Sequence, residues 1–174
     1  MIIFNTSPLI HLAKLGKIDP LLKCHEKIII PQAVFKEAVE DGLDGGHADA
    51  IYLKNLISQG KIEIRAIQNQ DLSLQEYLHQ GEYEAIQLAS ELNLPVIIDD
   101  KKSRTVAINK HVKHLTSLLS MLDLFDANFI TFDHFKNNAL QYGSFGWISD
   151  EIVQAYIREA ESRTRKKREG GNQA

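Results

Sequence analysis

The chain has 174 residues, 44% of them hydrophobic and 25% charged, with a formal net charge of −3. This is the profile of a globular chain long enough for one domain with a sizeable core, and it excludes a protein coated in positive charge for nucleic acid. No apolar run approaches the ~20 residues of a membrane helix. The single cysteine, Cys24, excludes an internal disulfide, so a reducing, cytoplasmic setting is expected.

In chain order, Met1 to Phe4 is a short apolar run that predicts a first strand, with no basic segment or cleavage site of a signal peptide around it. Ser7 and Pro8 suit an N-cap and a first helical residue, and a short helix through Leu15 ends at Gly16. A second helical piece starts at Asp19-Pro20, with Cys24 read as a small core residue. Lys27 to Ile30 predicts strand two. Pro31 opens a helix carrying Val34, Phe35, Ala38 and Val39 inward, and Glu37 lies in it. Asp41 to Gly46 reads as a turn-rich loop, and a helix runs from about His47 to Ser58. Lys61 to Ile67 alternates polar and apolar, as an exposed edge strand does. A weak helix lies within 69–80, and Gly81 breaks it.

Glu82 to Leu92 is strongly amphipathic. Pro95 to Ile98 is a buried-strand run that ends in Asp99 and Asp100. Lys101 to Asn109 predicts a helix, Val112 to Leu115 a strand, and Thr116 or Ser117 caps a helix through about Phe125. Two more helices cover 132–141 and 149–162, with Tyr142 to Trp147 as the loop between them. The basic residues Arg163, Arg165, Lys166, Lys167 and Arg168 belong to a C-terminal tail, 163–174, expected to be disordered. Strands alternating with helices predict a three-layer α/β/α fold with a central parallel sheet of four or five strands, spanning one domain over 1–162.

In such sheets the working site lies beyond the carboxyl ends of the strands. Asp99 and Asp100 point two like charges into that crevice, and a divalent metal is the usual compensator. The bland alternative is a pair of helix-capping acids. Asn5 follows strand one, Glu37 the second strand, and Glu82 and Glu84 open the helix before Asp99-Asp100. Glu82 and Glu84 lie about 200° apart on a helix, so they do not face one metal equally. The histidines, His111 and His114 included, make no zinc spacing. Phe145 with Trp147 reads as core or interface.

The words IIFNTSPLIHLAKLG (2–16), IIIPQAVFKEAV (28–39), GEYEAIQLASELN (81–93), VIIDDKKSR (96–104) and, more weakly, FGWISDEI (145–152) resemble the PIN-domain nucleases, closest to the toxin subgroup of bacterial toxin–antitoxin pairs. The resemblance covers nearly the whole chain in order. It implies a ribonuclease in which Asn5, Glu37, Glu82 and Asp100 form the catalytic set. Mg²⁺ or Mn²⁺ would be held by these residues with Glu84 and Asp99 as further ligands. Position 82 is favoured over 84 by the family's helix-to-strand spacing. Thr6, Ser7, Lys101 and Arg104 would meet the substrate. RNA, a small antitoxin and a second copy of the chain are the implied partners, with no membrane.

Hard cations take oxygen ligands, and Mg²⁺ uses few carboxylates, which agrees with this set. One departure stands out. The family has Asp where this chain has Asn5, a neutral amide that ligates only through its carbonyl. The chain is then either an impaired copy of an active nuclease or a non-catalytic RNA- or protein-binding module.

Overall fold

The computed structural model describes residues 1–145 and 148–170. The chain divides into two compact units, Met1–Ser117 and Leu118–Ala174. The first holds five strands: β1 (Ile2–Phe4), β2 (Ile28–Pro31), β3 (Ile62–Arg65), β4 (Val96–Ile97) and β5 (His114–Leu115). They form one parallel sheet in the order β3-β2-β1-β4-β5. The architecture is the three-layer α/β/α fold that the alternating strands and helices predict.

The register explains the apolar runs. Ile2 and Ile3 lie opposite Ile28 and Ile29, while Ile3 and Phe4 pair with Val96 and Ile97. All are fully buried, because a central parallel strand is covered on both faces. Ile3, Ile29, Val96 and Ile98 pack with Tyr83, Ile86 and Ala89 of helix α7 (Gln80–Leu92). Their neighbours Ile2, Phe4, Ile28 and Ile30 project to the opposite face by the two-residue period of a strand. Helices α1 (Thr6–Lys14) and α5 (Ala48–Ser58) pack on each other, and α5 also packs on β3. Strand β3 is an edge, as its polar alternation predicts, and its Glu63 pairs with Lys27 and Arg65.

Between β1 and β2 a second short helix, α2 (Ile18–Cys24), follows α1. Cys24 at its end is exposed, not the small core residue expected. After β2 the chain forms one helical run: α3 (Gln32–Phe35), a π-helical turn (Lys36–Glu40) and α4 (Asp41–Asp44). The loop predicted from 41 is therefore mostly helical. The cause is packing: a Cβ on Gly42 would stand 2.8 Å from the Ala50 Cβ, so only glycine lets this turn seat against α5. Gly81 lies inside α7 instead of breaking the segment before it. A single short turn, α6 (Leu72–Gln75), precedes α7, and α8 (Lys101–Asn109) has the bounds its sequence predicts.

The second unit holds α9 (Ser117–Asp126, whose first residue belongs to the first unit), α10 (Phe132–Ser144) and α11 (Asp150–Gly170). Phe125 meets Phe132 and Phe135 at ring separations of 6.4 and 6.1 Å. A Cβ on Gly143 would lie 2.9 Å from a Val153 methyl, so glycine sets the close approach of α10 and α11. The predicted loop from Tyr142 is still helical through Ser144, and Gly146 and Trp147 lie outside the described residues. Helix α11 continues past Ser162, with Glu159 and Glu161 pairing to Arg163 and Arg165 one turn on. Part of the expected tail is thus helix, and residues 171–174 lie outside the described ones. Among the described residues no helix is long and apolar enough to cross a membrane.

Candidate metal and nuclease site

Strand β1 is central, with β2 and β3 on one side and β4 and β5 on the other. The point where the chain changes direction lies between β1 and β4, and this is where open α/β sheets place their ligands. Asn5 follows β1, and Asp99 and Asp100 close the run that includes β4. The two strand ends are tied together by the Asn5 amide, which donates to the Ile97 carbonyl at 3.2 Å.

Asn5 is buried, only 4% exposed. Its backbone is extended and its side-chain oxygen accepts from the Thr6 amide at 2.7 Å, so Asn5 caps α1. The expected cap at Ser7 with Pro8 starting the helix is replaced by a helix starting at Thr6. Asn caps as well as Ser does, and the strand releases the chain at Asn5, two residues earlier. Ser7 sits half-buried in the first turn of α1.

Glu37 comes to the same end of the sheet by a route invisible in sequence. It lies in the π-helical turn after β2, and the Thr6 hydroxyl donates to its carboxylate. A π-turn inserts one residue into a helix and re-aims the side chains around it, and such turns recur at functional sites. Beside this pair stands Gly81. A Cβ there would lie 2.7 and 3.1 Å from the two Glu37 carboxylate oxygens and 2.8 Å from the Thr6 hydroxyl oxygen. The α7 backbone therefore walls the Thr6–Glu37 pair. Gly81 was missed as a site residue; the available signal was a glycine kept within a strongly helical pattern, which marks a packing or functional reason.

The favoured third acid is engaged elsewhere. Glu82 is the third residue of α7, and its carboxylate accepts from the His79 amide at 3.2 Å in a capping box. A glutamate at that position reaches back to its own helix start. Glu84 accepts from the Ala33 amide at the start of α3 (2.9 Å) and from the Gln80 side chain (2.8 Å). It ties α7 to the end of β2. The structure thus joins Asn5, Thr6, Glu37 and Gly81, and commits Glu82 and Glu84 to helix starts.

The two aspartates divide roles. Asp100 caps α8, accepting from the Ser103 amide at 2.6 Å, and is exposed. Burial pushes its carboxyl up, but hydrogen bonds from Ser103 and Lys102 and the charge of Arg104 outweigh it and hold the group below the usual carboxylate range. Arg104 is half-buried one turn into α8, and Lys101 is exposed. Asp99 instead holds Ser117, accepting from its amide and its hydroxyl at 2.7 Å each. His11 of α1, a residue the sequence reading passed over, is buried and feels the Asp99 charge. Burial lowers its basicity and the carboxylate partly restores it.

The chemistry of the donors at the strand ends suits a hard divalent cation: oxygens only, two carboxylates (Glu37, Asp100) and one amide (Asn5). Mg²⁺ is commonly held by one or two carboxylates together with substrate phosphates, so this set is of the right kind. It does not amount to a full protein cage. Among the described residues no three His, Cys, Asp or Glu side chains come together to hold a metal.

Two solved structures are similar to the chain. One is a PilT N-terminus domain protein from the hyperthermophilic archaeon Sulfolobus solfataricus, 21% identical, covering 73% of this chain and 92% of that one at a TM-score of 0.47. The other is a domain of a functionally unknown protein from Methanocaldococcus jannaschii, 20% identical, covering 66% and 89% at a TM-score of 0.46. No curated protein matches the sequence. The family model for the PIN domain, which is generally a nuclease fold, matches residues 1–162; the chain therefore belongs to the PIN-domain family.

Proposed function

We propose that the chain is a Mg²⁺- or Mn²⁺-dependent endoribonuclease of the PIN type, acting in the cytoplasm as the toxin of a toxin–antitoxin pair. The observation that carries this reading is the hydrogen bond that brings Glu37 to Thr6, the residue after Asn5 at the end of β1, with Asn5 tied to the strand that leads to Asp100. Asn5, Glu37 and Asp100 would hold the ion. When bound, it supplies charge neutralisation for a phosphodiester and activates water. Thr6 fixes the Glu37 carboxylate, and the hydrogen bonds from Ser103 and Lys102 favour the ionised form of Asp100. Arg104 and Lys101 would meet the RNA phosphates, and Ser7 would line the same edge. Glu82, which the family resemblance puts in the catalytic set, and Glu84 and Asp99, the further ligands it implies, serve here as anchors of helix starts and of Ser117. A small antitoxin and a second copy of the chain are the proposed protein partners.

Asn5 makes the site one negative charge poorer than an all-acid set, so ion binding is weak and this chain is an impaired copy. Asn5→Asp is expected to raise RNA cleavage with Mn²⁺, and Asp100→Ala in that background to abolish it. An Asn5→Asp protein that binds Mn²⁺ yet leaves several RNAs intact sinks the nuclease reading. A second reading, a non-catalytic RNA- or protein-binding module, is favoured by Asn5 being used as a buried helix cap. It requires binding that survives the double change Glu37→Ala, Asp100→Ala and the addition of EDTA.

A further inference from the structure

We infer that Gly81 is a positioning residue for Glu37: its missing side chain is what allows the α7 backbone to clamp the Glu37 carboxylate against the Thr6 hydroxyl. This rests on the reading of Glu37 as part of the nuclease site. Gly81 is the second residue of α7, and its backbone is outside the left-handed region that calls for glycine. Conformation therefore gives no reason for it. Helix propensity argues against it, since Gly is among the poorest residues in a helix and Ala the best. What remains is space. Gly81 is buried, and the atoms a Cβ would meet below 3.0 Å are a Glu37 carboxylate oxygen at 2.7 Å and the Thr6 hydroxyl oxygen at 2.8 Å.

The nature of those neighbours makes the inference specific. They are the ends of side chains, not backbone. A methyl at position 81 is accommodated by swinging the Glu37 carboxylate away and breaking its bond to Thr6, at no cost to the core. At Gly42 and Gly143 a Cβ meets a different kind of atom, the Ala50 Cβ and a Val153 methyl. Those glycines serve packing between helices. Gly81 serves the carboxylate.

The test uses the full-length chain carrying Asn5→Asp, with and without Gly81→Ala, and Thr6→Val as a comparator. Three quantities are read: the thermal midpoint, the Glu37 carboxyl ¹³C resonance, and Mn²⁺ affinity by titration calorimetry. Gly81→Ala is expected to leave the midpoint unchanged or raised, to move the Glu37 resonance as Thr6→Val does, and to weaken Mn²⁺ about tenfold, the scale seen when partners of metal ligands are lost. An unmoved Glu37 resonance overturns the inference. So does a midpoint that falls as it does for a packing glycine, for which Gly143→Ala is the reference. If neither protein binds Mn²⁺, the metal reading fails, and the Glu37 resonance alone decides the role of Gly81.

Discussion

Replacing Asp99 distinguishes an anchor from a metal ligand. In the fold its two oxygens accept from the amide and the hydroxyl of Ser117, each at 2.7 Å, and Ser117 is completely buried. Asp99→Ala leaves both donors without that carboxylate in a place water does not reach. A hydrogen bond to a charged group contributes about 1.5–3 kcal/mol net. Asp99 itself is only half-buried, so the lower end applies to each bond, and the pair is worth about 3 kcal/mol. In a chain of this size ~1 kcal/mol moves the midpoint by about 2–4 °C, which gives a fall of about 6–12 °C. Asp99→Asn keeps one acceptor oxygen and loses the charge, so about half that loss is expected. The assay is thermal and urea unfolding followed by circular dichroism, with Ser117→Ala completing a double-mutant cycle in which the losses are strongly non-additive. A stability loss below about 1 kcal/mol, together with abolished Mn²⁺ binding, would refute the anchor and make Asp99 a ligand.

The remaining expectations concern the other acids and the pH. Glu84→Ala removes the acceptor for the Ala33 amide and the Gln80 side chain and is expected to cost about 1–2 kcal/mol in urea unfolding. Glu82→Ala loses one arm of a capping box and costs about 0.5–1 kcal/mol; in the Asn5→Asp protein both changes leave Mn²⁺ affinity within about twofold. The Asp100 carboxyl is held below its ordinary value of 3.8, so its stabilising contribution is present above that pH and is lost as pH falls through the folded value. Asp100→Asn is therefore expected to flatten the acid limb of the stability–pH curve, read as melting midpoints from pH 2 to pH 5. His11 is lowered from 6.5 by burial, so stability falls as pH drops below that value, and His11→Gln removes this slope near pH 6 in the same measurement.

How far the sequence reached is clearest at three places. The run Val96-Ile97-Ile98 before two acids marked a buried strand end, and Asp100 does cap the next helix, whose bounds Lys101–Asn109 match those expected. The polar alternation of Lys61 to Ile67 marked the edge strand. The parallel sheet followed from strands alternating with helices. These are properties of periodicity and local propensity, which a chain carries without its neighbours.

Other features depend on atoms far apart in sequence. Asn5, not Ser7, caps α1, because pairing of β1 with β4 fixes where the strand lets go. Glu37 reaches Thr6 because a π-helical turn rotates it there, and no spacing rule announces such a turn. Glu82 and Glu84 were rivals for one role, and packing gave each a different partner, His79 and Ala33. Gly81 looked like a breaker and is instead the contact point of a helix with a carboxylate. The sequence by itself determined the strands, most of the helices and the acids at the end of the Val96-Ile97-Ile98 run. Only the tertiary structure decided which oxygen faces which donor, because that depends on strand order and on the closeness of α7 to the π-turn, distances that local residue patterns do not encode.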